Sequence, residues 1–485
     1  MADLRLHGIR GFWASLALLM SVGLLGADAW AGPTSVSGTI SADTTWTVAG
    51  SPYIVTGTVY VYGTPTTPVT LTIQAGVEVR FNSATWLYVG WSGNKGTLNA
   101  EGTAASPVLF TSNQVTKTPG YWAAVSFEPG SAATSLLQYT TIEYGGYSAA
   151  YGSVNVNGSS PTLQNCTIQQ SSSHGVSATG SGNPSLVSTT ISGTGSSAAG
   201  IYVTSGSLSL SMVTINGTAG AYSISMPLTT VVTTAGTHSF DKPIELRSGE
   251  IQADTTWRNL GAPYVLNGTS YVYKDTTTAS TLTVEAGVEV RFTSGAWLQV
   301  AWSGYKGTLN TQGTATSPVL FTSNQATKTP GDWGGVQFNA WSPGTSLLQY
   351  TTIEYGGAGA SNGSIYVNGG SPTFQNCTVR NGNGNGIQVG FGSLSLTAMT
   401  FSSTGGSYSI SMPLTTVVTT AGTHIFDKPI ELRSGEIQAD TTWRNLGAPY
   451  VLNGTSYVYK DTTTASTLTV EAGVEVRFTS GAWLQ

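Results

Sequence analysis

Charge is what this sequence most conspicuously lacks. Asp, Glu, Lys and Arg make up 8% of the 485 residues, against roughly 25% in an ordinary soluble protein. The 18 basic and 23 acidic side chains leave a net charge of −5, with no basic patch, so nothing points to a nucleic-acid partner. Cysteine is scarce too: only Cys166 and Cys377, in the matching contexts LQNCTI and FQNCTV. Equivalent places in separate repeat units lie far apart, so a small buried thiol in each is expected rather than a disulfide. Beyond residue 31 there are three histidines, at 174, 238 and 424. They are too dispersed for a metal site, and no cofactor is expected. Helical periodicity is missing after residue 31, which excludes helical bundles and α/β folds.

What fills the gap is Gly, Ser, Thr and Asn, residues of corners and ladders. Short strands recur among them, closed by Ile142, Ile168, Ile191 and Ile215, at steps of 26, 23 and 24 residues. The pattern returns at Ile353, Val379 and Phe401, at steps of 26 and 22. A strand-bearing period in the low twenties is the mark of a β solenoid. Within LTIQAGVEVRF, Leu71, Ile73, Val77, Val79 and Phe81 alternate with Glu78 and Arg80. That is the period of half-buried strands, with the two charges paired on the outer face. The fold expected is all-β, a right-handed parallel β-helix built from tandem multi-coil repeats.

Residues 1–31 read as an export signal, with Arg5 and Arg10 before an apolar run and Ala29-Trp30-Ala31 at the cleavage site. No later stretch could span a bilayer as a helix. A first unit is expected over 41–251, a second over 252–437 and a partial third over 438–485. SADTTW at Ser41–Trp46 recurs as QADTTW at Gln252–Trp257 and Gln438–Trp443. The offsets are 211 and 186, so the first unit holds 25 extra residues between Gly175 and Gly200. That is one coil, which a solenoid accepts because each rung touches only its neighbours. Residues 408–485 repeat 222–299 with one change, Ser239 to Ile425. The third unit stops inside a strand, and the sequence is expected to be a fragment of a longer product.

The runs LTIQAGVEVRF, GTLNAEGTAASPVLFTS, LLQYTTIEYGG and SPTLQNCTI resemble bacterial right-handed parallel β-helix repeat proteins of the pectin-lyase-like superfamily. The resemblance implies either a polysaccharide lyase or hydrolase, or a large secreted or surface repeat protein of the adhesin type. A lyase wants clustered acids for calcium plus a basic residue, and a hydrolase wants convergent carboxylates. Residues 33–240 hold one Asp and four Glu (78, 101, 128 and 143), with no dense acid group. Glu143 and its counterpart Glu354 are expected to be solvated turn residues. The charges at 241–258 and 427–444 are expected to form surface ion pairs. His174 is expected to lie in the inserted coil and to have no counterpart. Differences between units that could mark a site in only one of them are Tyr121 against Asp332 and Gln169 against Arg380.

Aromatic residues are the remaining candidates. Trp86, Trp91 and Trp122 match Trp297, Trp302 and Trp333. They either stack between rungs or offer flat faces to sugar rings. Trp91, Trp122, Trp302 and Trp333 are the candidate ligand-binding residues, and no catalytic or metal-binding residue is assigned. The leading expectation is a secreted or cell-surface, non-enzymatic protein that binds glycan or neighbouring surfaces. A polysaccharide-degrading enzyme and a structural spacer are the alternatives. No sequence feature specifies an oligomeric state.

Overall fold

A computed structural model describes residues 32–359 and 363–485. The expected export signal lies outside them. Among the described residues there is no α-helix, only two single-turn 3-10 segments, Val48–Gly50 and Trp91–Gly93. The rest is short strands in parallel ladders, and the chain is a right-handed parallel β-helix. Each coil of the first unit contributes a strand to each of three faces. The first face carries Val69–Gln74, Gly96–Glu101 and Leu136–Gln138. The second carries Glu78–Phe81, Val108–Ser112 and Thr140–Glu143. The third carries Leu87–Val89, Val125–Phe127 and Val154–Asn157.

The periodic residues form one column inside the second face. Val79 pairs with Phe110, then Ile142, Ile168, Ile191 and Ile215 follow in register. In the second unit Phe321, Ile353, Val379 and Phe401 do the same. All are buried. The column arises because parallel pairing at 22–32-residue intervals puts side chains of equal parity on one line. Leu71, Ile73, Val77, Val79 and Phe81 all face the core. Glu78 and Arg80 face outward and pair at 2.8 Å.

Corners between the first and second faces are a single left-handed residue: Tyr139, Asn165, Ser188 and Met212 in successive coils. That conformation costs a non-glycine residue about 1–2 kcal/mol. Each corner amide is satisfied by the next coil: Tyr139 donates to Gln164 O, Asn165 to Val187 O and Ser188 to Ser211 O, at 2.8–2.9 Å. Just past the corner, Cys166 is buried and free, its Sγ donating to Leu137 O at 3.2 Å. Cys377 does the same to Leu348 O. The neighbouring coil uses Thr189 for the same bond, to Leu163 O.

The first face has eight strands in the first unit and seven in the second. On the third face, Leu87–Val89 reaches Ile224–Pro227 through Val125–Phe127, Val154–Asn157, Val176–Thr179 and Ile201–Val203. The matching ladder from Trp297–Val300 to Ile410–Pro413 passes only through Gly335–Asn339, Ile365–Asn368 and Ile387–Phe391. At the junction the faces shift. Ile224–Pro227, on the third face, pairs with Ile244–Arg247, then Tyr264–Asn267, then Glu289–Phe292 on the second face of the next unit. The same shift recurs from Ile410–Pro413 to Val476–Phe478.

Two measurements check this packing. Ile191→Ala, in the middle of the column, should lower unfolding free energy by about 2–5 kcal/mol in urea denaturation. Burial pushes the Cys166 and Cys377 thiols up to about 11. The reactive thiolate is therefore scarce at pH 8, and alkylation of the native protein should label neither residue, whereas unfolded chain takes two labels.

Candidate functional site

The four candidate tryptophans separate into two kinds. Trp122 and Trp333 have no exposed surface. Each lies flat on a core phenylalanine, Trp122 on Phe81 and Trp333 on Phe292, with ring centroids 4.0 Å apart. Their indole N–H groups donate to Glu143 O and Glu354 O at 2.9 and 2.8 Å. A sugar cannot reach them, so these two assignments are corrected: they are core residues that also satisfy a strand-end carbonyl. Trp91 and Trp302 are 37% and 41% exposed and remain available.

Around Trp91 the first unit builds an aromatic terrace. The outward residues of the third face begin Tyr60, Tyr88, Ser126, Asn155. Tyr60 stacks on Tyr88 at 5.5 Å, and Trp86 stacks on Tyr88 at 5.0 Å, both within about 11° of parallel. Trp91 leans on Tyr88 at 4.5 Å, and Tyr151 meets Trp86 edge-on at 5.6 Å. Gly90 makes the placement of Trp91 possible. It has φ +75°, and a Cβ there would lie 2.0 Å from the amide of Ser131.

Beside the rings is a cleft of about 220 Å³, lined by Trp86, Tyr88, Trp91, Tyr151, Ser126, Glu128, Asn155 and Asn157. Its polar floor is wired. Ser126 Oγ donates to Glu128 Oε1 at 2.6 Å and Asn157 Nδ2 to Oε2 at 2.7 Å. Asn155 Nδ2 donates to Ser126 at 2.9 Å and Ser177 Oγ to Asn155 Oδ1 at 2.9 Å. These bonds hold the carboxylate still without a cation. Burial, then the Glu128 charge, pushes the Tyr88 phenol up to about 12, so it stays protonated as a donor. The lining carries one carboxylate and no Lys or Arg.

The second unit does not repeat this. At the 211 offset Tyr88 becomes Gln299, Ser126 becomes Gln337, Glu128 becomes Asn339 and Asn155 becomes Tyr366. Asn339 turns its amide to Ala301 O at 2.8 Å and closes the turn. Trp297 lies against the backbone of Gly334, where a Cβ would come within 2.1 Å of the ring. The first unit has Ala123 at that place, so Trp86 takes the outer position over Tyr88. A smaller contact survives, Trp302 with Tyr271 at 5.0 Å. The sequence signal for this site was the Glu128/Asn339 difference, visible at the offset already established.

The other expected positions have structural roles. Glu143 and Glu354 are not solvated turn residues. Glu143 accepts from Thr111 at 2.7 Å, Gln169 at 2.9 Å and Lys117 at 3.2 Å. Burial opposes its charge, but these partners hold its carboxyl below the usual range. Glu354 is buried and pairs with Arg380 at 2.7 Å. Asp332 clips a loop, accepting from Ser323 Oγ at 2.7 Å and the Thr329 amide at 2.8 Å. At the junctions, Arg258 and Arg444 form ion pairs, but with Glu285 and Glu471, which lie outside the two charged stretches. Asp241, Glu245 and Arg247 instead serve hydroxyls and backbone. Asp241 takes the Thr218 amide at 2.8 Å, and Arg247 donates to Ser225 Oγ at 2.8 Å and to Val203 O. Among the described residues no group of three or more His, Cys, Asp or Glu is arranged to hold a metal, and no helix is long and apolar enough to cross a membrane.

A family model described as a pectate-lyase like beta helix domain matches residues 38–207 and 249–368. Together these cover more than half of the chain. No curated protein matches it.

The two kinds of tryptophan differ in what they support. Trp122→Ala should cost about 3–5 kcal/mol of stability. Trp91→Ala should stay within about 0.5 kcal/mol of the parent. Urea denaturation of both variants checks the assignment.

Proposed function

The chain belongs to the pectate-lyase-like β-helix domain family, and from that premise we propose that it is an exported, non-enzymatic surface or matrix protein that binds polysaccharide through the aromatic terrace of its first unit. The observation that carries this reading is the cluster of Tyr60, Tyr88, Trp86 and Trp91 beside a hydrogen-bonded polar floor. Flat rings take the apolar faces of pyranoses, and fixed amides and hydroxyls take their edges. Preorganisation adds to this. The floor residues already hold one another in place, so little side-chain freedom is lost on binding. The export signal over residues 1–31 supports an extracellular setting.

One observation favours a second reading. Glu128 is an acid present in one unit and replaced by Asn339 in the other, which is how an active site confined to one unit would look. As a lone general acid it lacks the convergent second carboxylate of glycoside hydrolysis among the residues that line the cleft. Binding without cleavage is therefore the function put forward.

The test uses the full chain and a panel of insoluble polysaccharides, scoring retention and newly formed reducing or unsaturated ends. Retention without cleavage is expected. Trp86→Ala or Tyr88→Ala should weaken it about tenfold, while Trp302→Ala changes it less. Chain cleavage above a heat-inactivated control, abolished by Glu128→Gln, would replace this reading with the enzymatic one.

A further inference from the structure

Farther along the same face is a second cleft with the same kind of equipment. Continuing outward from Tyr88, Ser126, Asn155 and Ser177, the column reaches Tyr202, Ser225 and Glu245. Tyr202 is four rungs beyond Tyr88, roughly 19 Å at the usual strand spacing. His174 stacks on Tyr202, with centroids 4.5 Å apart and planes within 7°. A cleft of about 280 Å³ opens there, lined by His174, Tyr202, Tyr222, Ser225 and Glu245 together with Ala198, Ala199 and their neighbours.

His174 brings a polar ring edge to this cleft. The ring is 8% exposed. Both backbone groups of Ala199 meet Nδ1, the amide at 3.0 Å and the carbonyl at 3.3 Å. With the amide donating, the neutral ring carries its proton on Nε2; with Nδ1–H donating to the carbonyl, Nε2 is an acceptor. Burial pushes the imidazole below its ordinary value, so the ring is uncharged at neutral pH. Among the described residues, Nε2 has no hydrogen-bond partner. Across the cleft Glu245 is an acceptor, its Oε2 taking Ser225 Oγ and its Oε1 taking Asn267 Nδ2 at 3.2 Å. Arg247 also reaches Tyr202, its guanidinium 5.0 Å from the ring centroid. Its N–H groups, however, go to Ser225 and to the carbonyl of Val203.

The second unit has closed this place. His174, expected to have no counterpart, lies just before the inserted coil and corresponds to Asn385, and Tyr202 corresponds to Gln388, by the offsets of 211 and 186 on either side of that coil. Asn385 Nδ2 donates to Gln388 Oε1 at 3.0 Å, and Asn385 Oδ1 accepts the Tyr408 amide at 3.2 Å. An amide pair that satisfies itself has replaced a stacked aromatic pair with a free ring nitrogen.

We propose that the His174–Tyr202–Tyr222 cleft is a second sugar site, taking one residue of a neutral polysaccharide. The rings take the sugar's apolar face, His174 Nε2 exchanges a hydrogen bond with a sugar hydroxyl, and Glu245 accepts from a hydroxyl. The facing carboxylate, without a free cation in the lining, selects against uronic acids. This goes beyond the terrace, and it stands on its own residues. With both sites occupied by one chain, the second binding step becomes intramolecular and overall affinity rises without new contacts.

The test removes the terrace with Trp86→Ala/Tyr88→Ala and titrates the full chain with neutral and uronic oligosaccharides, following the His174 ring signals by NMR. A shift of those signals by neutral oligosaccharide, saturable and lost in Tyr202→Ala, is the expected result. Tyr222→Ala, outside any strand, should weaken it about tenfold and guards against a folding defect in the first variant. Unmoved His174 signals overturn the second site, even when the parent binds through its terrace. Equal or tighter binding of the uronic oligosaccharide overturns the neutral-sugar assignment. Loss of terrace binding in the parent, with the His174 shift intact, overturns the earlier proposal and leaves this one standing.

Discussion

Everything in this structure depends on the parallel register between one rung and the next. A coil has no stability of its own: its strands are two to nine residues long, too short to bury a core or to satisfy their own amides. The rung above supplies both. That constraint forces apolar side chains onto one line, so phenylalanines sit on valines, leucines or isoleucines of the adjoining rungs. It also tolerates left-handed corners at Tyr139, Asn165 and Ser188, because each corner amide is bonded to the following coil. A whole rung can be gained or lost without disturbing the rest, since the ladders simply close over the difference.

The inward half of this design was legible in the sequence. Ile142, Ile168, Ile191 and Ile215 announce their column by spacing alone, and Glu78 and Arg80 announce their pairing by parity. The outward half was less legible, for reasons that can be named. Trp91 and Trp122 are the same residue in similarly glycine-rich surroundings, yet one leaves the sheet at Gly90 and the other turns in over Phe81. Spacing to the nearest strand does not fix which way a residue in a turn will point. Glu143 and Glu354 end their strands, but the neighbouring rung brings Thr111 and Lys117, or Thr322 and Arg380, across 26 or more residues. Proximity of that kind exists only once the register is known. The junction charges misled because hydroxyls and backbone groups serve Asp241 and Arg247, while Arg258 and Arg444 pair with Glu285 and Glu471 of the next rung.

The two units also show how function separates from fold in a repeat family. The core columns of both are nearly interchangeable. The face that carries the terrace differs at almost every outward position: Tyr88, Ser126, Glu128 and Asn155 against Gln299, Gln337, Asn339 and Tyr366. One core-side change reinforces this. Alanine at 123 and glycine at 334 decide whether the tryptophan beside them stands over the terrace or lies down on the backbone. Fold-level kinship therefore says little about what either unit touches.

The face shift at each junction has a consequence for presentation. The third face of one unit runs into the second face of the next, so corresponding patches in successive units are turned about the long axis by one side of the coil. Tandem units of this kind look outward in different directions, like the steps of a spiral stair. A flat wall would meet only some of those steps, whereas a mesh of fibres crossing at several angles would meet every one.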